Sequence, residues 1–175
     1  MGDDLDLDQR TAVRTPMQWA NERHAGFTTA NKPVHPIINR GVWSYEHVNV
    51  EAQRRDPDSF LNWVVGMIRL RKECPEIGLG HCSIIDCGVP NVLGLRYDWR
   101  GNTVITLHNF DNRPHRARLR LRDPGADRLS NLMAPVEISA REDKSFAIPL
   151  EALGYCWLRI GGLDYAVKRS GRSDH

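Results

Sequence analysis

The chain has no run of 18 apolar residues, no Cys-x-x-Cys pair and almost no charge imbalance. The first absence removes a membrane-spanning helix, which needs about 18–20 consecutive apolar residues. Residues 1–8, MGDDLDLD, are acidic and lack an apolar stretch, so nothing there resembles a secretory signal. Cys74, Cys82, Cys87 and Cys156 have no zinc-ligand spacing, and without a secretory signal they read as free thiols of a reducing cytoplasm. No metal or other cofactor is expected. The 24 basic residues are interleaved with 22 acidic ones for a net charge of +2, and no basic–aromatic platform appears, so nucleic acid is not an expected partner.

What is present suits an ordinary globular protein: 175 residues, 41% hydrophobic and 26% charged. That length sets a prior of one domain, or one and a half, and is enough to bury a core. Asp3, Asp4, Asp6 and Asp8 read as an acidic end rather than a metal site, since nothing fixes their geometry.

Residues 13–55 carry little periodicity. Pro16, Pro33, Pro36 and Gly26 break it, and a structureless loop of this length is uncommon unless functional. A short helix near 18–22 and a brief extended piece around Val48 and Val50 are the regular elements foreseen there. Asp56-Pro57 then starts a helix running to about Glu73, with Phe60, Trp63, Val64, Met67, Ile68 and Arg71 at spacings of three and four. Its Trp and Met stripe reads as core. Pro75 and Gly78 end it.

From about Gly80 the period changes to two. Leu93, Leu95, Tyr97 and Trp99 form one alternating face, which reads as core. Residues 99–102 read as a turn and 103–110 as the returning strand. Residues 115–122 put Ala117, Leu119 and Leu121 on one face and Arg116, Arg118, Arg120 and Arg122 on the other, where a solvated sheet face is the plain reading. Asp123-Pro124-Gly125 turns the chain, and 131–137, 145–150 and 155–160 are further strands. Six to eight short strands with turns between them predict a mainly β fold, an antiparallel β-sandwich.

The stretch 13–27, VRTPMQWANERHAGF, carries the densest functional chemistry. Arg14 supplies a fork of donors, Gln18 an amide and Trp19 a flat apolar face, a set suited to sugar hydroxyls and to the C–H face of a sugar ring. A surface loop with one buried Trp is the plain alternative. His24 and His47 have no partner in the sequence that would make either a catalytic base.

RTPMQW followed by HAGFTT resembles the segment after the eighth barrel strand in the α-amylase superfamily, glycoside hydrolase family 13. Met1-Gly2-Asp3-Asp4 and the run 47–57, HVNVEAQRRDP, are similar to stretches of its trehalose synthase branch; the oligo-1,6-glucosidase/α-glucosidase branch is the next most similar. Thr106-Leu107-His108-Asn109-Phe110 and Gly154–Ile160 resemble strands of the family's β-sandwich, domain C. The resemblance extends from residue 1 to about Ile160. It implies three segments: 1–78 as the loop after strand eight and the last helix of a (β/α)8 barrel, 79–161 as domain C, and 162–175 as a flexible tail.

The resemblance also says what should be missing. Retaining glycosidases of this family set two carboxyl groups across the scissile bond, on strands four and five, and add an Asn-His-Asp motif after strand seven. None of these motifs is in the sequence, which would correspond to about one eighth of the barrel plus domain C. No residue is therefore assigned as catalytic. The implied substrate-side residues are Arg14, as a contact to a sugar hydroxyl, with Gln18 and Trp19 bracing the loop and Phe27 packing beneath it. The implied partners are a maltose- or trehalose-type disaccharide, if a barrel completes the site, and an upstream chain carrying that barrel. The intact family branch would isomerise maltose to trehalose. A fragment of an α-glucosidase, or a non-catalytic sandwich binding carbohydrate or protein, are the alternatives, and a row of exposed aromatic residues on the sheet would favour the module.

Overall fold

The structure is a computed structural model and describes residues 10, 13–124 and 126–161. The aspartates at 3, 4, 6 and 8, Gly125 and the tail 162–175 lie outside the described residues. The chain forms two compact units that divide between Arg69 and Leu70, whereas the sequence reading sets the boundary after residue 78.

The first unit is mostly irregular. A single tight turn, Arg23–Gly26, whose last three residues are left-handed, stands near where a helix at 18–22 is expected. Helix α1 is Val50–Arg55, in place of the extended piece foreseen around Val48 and Val50. Its VEAQRR sequence has no apolar stripe, so periodicity could not reveal it. It is specified by its cap instead: the Asn49 carboxamide oxygen accepts from the Ala52 amide at 2.8 Å. Helix α2 is Phe60–Glu73 and begins three residues later than Asp56-Pro57 suggests. Asp56 heads a turn, accepting from the Asp58 and Ser59 amides, and Ser59 Oγ accepts from the Asn62 amide. The Gln53 side chain accepts from the Leu61 amide at 2.9 Å, which ties the start of α2 to the end of α1.

The α2 stripe read as core has no buried residue; Phe60 is 72% exposed, Trp63 45% and Ile68 50%. Among the described residues of the first unit, Ala25 and Ile38 are the buried hydrophobic ones.

The second unit is the antiparallel sandwich. After the short helix α3 (Glu76–Leu79), the strands are β1 (His81–Ile85), β2 (Val92–Trp99), β3 (Asn102–Asn109), β4 (His115–Arg120), β5 (Arg128–Asn131), β6 (Glu137–Ser139), β7 (Ser145–Leu150) and β8 (Tyr155–Ile160). One sheet has the order β1-β2-β3-β8-β5-β6 and the other pairs β4 with β7. The core lies between them. Ala117 and Leu119 of β4 and Phe146, Ile148 and Leu150 of β7 face Val92, Ile105, Leu107, Leu129 and Leu158.

The β2–β3 hairpin turns on Arg100 and Gly101 at φ of 48° and 77°, two successive left-handed residues that match the twist of the strands. The Arg100 guanidinium lies 4.6 Å over the Trp99 ring.

The face of β2 read as core is the outer one. Register pairs Gly94 with Leu107 and Arg96 with Ile105, so Val92 and Gly94 face the second sheet. Leu93, Leu95, Tyr97 and Trp99 lie on the opposite face and are only partly buried. Alternation favours the outer set because the inward set includes Arg96 and Asp98. Those two reach the rim of the sandwich, where Asp123 meets them. Gly94 cannot be larger: a β-carbon there would stand 2.5 Å from Cys87 Sγ.

Candidate functional site

The RTPMQW segment is held to the 43–51 segment through Gln18. Gln18 is 6% exposed, and its Nε2 donates to the Trp43 carbonyl at 3.0 Å and the Val48 carbonyl at 2.9 Å. The main chain continues the contact. The amides of Val50 and Glu51, the unpaired first-turn donors of α1, donate to the carbonyls of Gln18 and Trp19 at 2.9 and 3.0 Å. Asn49 Nδ2 donates to the Tyr45 carbonyl at 2.9 Å. The two motifs 14–19 and 47–53, far apart in the chain, are one hydrogen-bonded block.

The loop returns on itself at His24, Ala25 and Gly26, with φ of 55°, 56° and 66°. Three successive left-handed residues, two of them with a β-carbon, store about 1–2 kcal/mol each at the non-glycine positions. The Ala25 carbonyl compensates by accepting from the amides of Trp19 and Ala20 at 2.8 and 3.1 Å. His24 Nε2 is shielded from solvent and has no hydrogen-bond partner among the described residues. Held this way, Trp19 stays 46% exposed.

Arg14 is exposed and lines a cleft of about 370 Å³. Met17, Phe27 and Val34 give the cleft an apolar wall, Thr15, Thr28 and His35 line it too, and Lys32 adds positive charge. Among the described residues no carboxylate lines it. Gln18 and Trp19 are not among its lining residues, so the structure brings Arg14 together with Phe27 but not with the Gln18 amide. Thr28 stands within the HAGFTT motif but was given no role, and Lys32 and His35 were missed because the residues after that motif carry no recognisable pattern. The cleft has donors for hydroxyls and an apolar wall, and among the described residues it has no pair of carboxyl groups that could work as acid and base.

In the second unit the titratable clusters are structural. Arg96 bridges Asp98 and Asp123, with its Nε 2.7 Å from Asp98 and its Nη1 2.8 Å from Asp123. Hydrogen bonding to Arg96 holds both carboxyl groups below the usual carboxylate value. Asp111 lies 2.8 Å from His115 and accepts from Asn91, which lowers its pKa. Among the described residues no group of three His, Cys, Asp or Glu could hold a metal ion, and no helix is long and apolar enough to cross a membrane.

Residues 1–80 match the family model of the α-amylase catalytic domain. The chain is 32% identical over 166 residues to trehalose synthase of Pimelobacter sp., an alignment covering 91% of this chain and 29% of that protein. It is 30% identical over 104 residues to oligo-1,6-glucosidase of Halalkalibacterium halodurans, covering 59% of this chain and 18% of the relative. Among solved structures, a MUTB variant from crystals soaked with trehalulose superposes with a TM-score of 0.61 at 24% identity, covering 87% of this chain and 26% of that one. The chain thus spans less than a third of the length of these relatives.

Proposed function

The chain is a trehalose synthase-like protein of the α-amylase family, and on that premise we propose that it supplies the loop after the last barrel strand, the last barrel helix and the domain C sandwich of an enzyme acting on maltose- and trehalose-type disaccharides. The catalytic carboxyl groups come from barrel segments outside these 175 residues, and the chain does not turn over substrate by itself. In the completed enzyme Arg14 donates to a sugar hydroxyl, with Phe27 as part of the apolar wall beside it. Gln18 is the brace that keeps Arg14 and Trp19 in place. Isomerisation of maltose to trehalose is the reaction favoured, because the trehalose synthase alignment covers nearly the whole chain and the glucosidase alignment about three fifths.

The observation that carries this reading is the imbalance of the first unit. Its described part buries two hydrophobic residues, Ala25 and Ile38, while Trp19, Phe27, Val34, Val42, Trp43 and Phe60 are each 46–95% exposed. Segments of this length fold by burying most of their apolar surface, and so large an exposed apolar set marks an interaction site. A barrel lacking its last loop and helix would present the complementary apolar surface.

Hydrogen exchange tests this directly. Amides of residues 50–69 exchange quickly in the chain alone and become protected when a polypeptide carrying the first seven strands of a trehalose synthase barrel is added. Unchanged exchange on addition contradicts the proposal.

One observation favours a sugar-binding sandwich as a second reading. The rings of Phe110, His108 and Tyr155 follow one another at centroid distances of 6.4 and 6.3 Å with planes 22° and 16° apart, and Phe110 is 69% exposed. A maltose titration followed by NMR distinguishes this reading. Shifts at these three residues in the chain alone support it, and a silent spectrum removes it.

A further inference from the structure

We propose that the outer face of β4 is a docking surface for an extended acidic polypeptide segment of a partner protein. Arg116, Arg118 and Arg120 all point away from the core, whose contacts are made by the intervening Ala117 and Leu119. Alternate strand residues stand about 6.7 Å apart, so the three guanidinium groups form a regular row. The register partners on β7 that share this face are Pro149, Ala147 and Ser145, none of them charged. The row is flanked by a groove of about 420 Å³ that Arg118 and Arg120 line together with Leu119, Leu121 and Arg96.

The acidic groups that could neutralise the row are mostly committed elsewhere. Asp98 and Asp123 are held by Arg96, and Asp111 by His115 and Asn91. Asp86 lines the groove, and its carboxylate accepts from the Gly88 amide. Asp143 feels Arg120 and Arg141, but its closest partner is Ser145. None of the three arginines has a salt bridge among the described residues. A like-charged row of this kind repels itself, and an anionic partner relieves the repulsion.

The period identifies the partner. An extended peptide with an acidic residue at every second position repeats at the same spacing as the strand, so its carboxylates can meet the guanidinium groups one to one, in pairs whose fork geometry suits carboxylate. Single-stranded nucleic acid would also be anionic, but its binding sites add aromatic side chains for base stacking. The β4–β7 face has none.

The test is fluorescence anisotropy with the full chain and three dye-labelled probes: a decapeptide alternating Glu and Ser, a peptide of the same composition with its Glu residues in one block, and a ten-nucleotide oligothymidylate. The alternating peptide is expected to bind more tightly than the block peptide by at least about threefold, with affinity falling as salt is raised. The variant carrying Arg116→Gln, Arg118→Gln and Arg120→Gln should bind it at least about tenfold more weakly. A variant with Arg40→Gln and Arg54→Gln, exposed arginines elsewhere, should bind as the wild type does. The substituted side chains are exposed, and matching circular dichroism and melting curves establish that both variants are folded. No binding of the alternating peptide, equal binding of the two peptides, oligothymidylate binding as tightly, or undiminished binding by the triple variant each overturns the proposal.

Discussion

Arg159 on β8 reaches across to Glu76 at the start of α3, its Nη2 lying 3.2 Å from each carboxylate oxygen of a fully buried residue. The same nitrogen lies 3.6 Å from Cys74 Sγ. Arg159 faces outward from the sandwich, beside Val104 in the register, so the pair fastens the segment 74–79 over the outer face of the large sheet. Such a pair contributes little relative to an apolar replacement, but losing one partner strands the other charge.

Glu76→Ala is therefore expected to lower the unfolding free energy by about 3–5 kcal/mol, and the double substitution Glu76→Met with Arg159→Met to recover most of that loss. Urea denaturation followed by tryptophan fluorescence measures both. A double variant no more stable than the single one would show that packing, not the stranded charge, dominates.

The Arg96 cluster sets an acid-sensitive contribution. Asp98 and Asp123 have native pKa values depressed below 3.8, chiefly by hydrogen bonds from Arg96. Their stabilisation is complete above about pH 4 and is lost as pH falls through the depressed native values. Arg96→Met should cost about 1 kcal/mol at pH 7, a charged hydrogen-bond value discounted for the solvent at Asp98. The stability gap between wild type and variant should then narrow progressively as pH falls below about 4. A gap that does not narrow at all as pH falls below the usual carboxylate range in thermal melts would rule out this linkage.

Much of the sandwich was legible. β7 at 145–150 and β8 at 155–160 stand where alternation and their bounding turns place them. The face of β2 was not legible, because Leu93, Leu95, Tyr97 and Trp99 outweigh an inward set whose outer half is Arg96 and Asp98. Hydrophobicity sums cannot show that these two end at a rim beside Asp123. Helix α1 escaped because its six residues carry no apolar stripe, and beyond the Asn49 cap its support comes from carbonyls of Gln18 and Trp19 about 30 residues earlier. In the candidate site, Arg14 and Phe27 were legible as residue types in a known pattern. The left-handed turn at His24 and Ala25 was not, since neither residue announces a positive φ.

The thiols should separate cleanly in reactivity. Cys82 is exposed, whereas Cys74, Cys87 and Cys156 are buried, and burial pushes Cys156 up to about 12. The native protein is expected to release one equivalent of thionitrobenzoate quickly from a disulfide reagent and the other three only in denaturant. Cys82→Ser should abolish the fast phase.

Gln18 is the keystone of the loop block. Gln18→Ala leaves the Trp43 and Val48 carbonyls without their donor, at a cost of about 1–3 kcal/mol to the local fold. Amide exchange across residues 43–51 should accelerate by at least about tenfold while exchange within β3 and β8 stays unchanged. An equal change in both places would mean that the loop block and the sandwich unfold as one.

The most direct test of the proposed role is maltose turnover. The purified chain is assayed alone and then after mixing with a polypeptide that carries the first seven strands of a trehalose synthase barrel, with trehalose and glucose separated as products. The chain alone should give neither product, the mixture should give trehalose, and Arg14→Ala should reduce the rate of the mixture by at least about tenfold. Trehalose formed by the chain alone would contradict the account, because it would place the catalytic groups within these 175 residues.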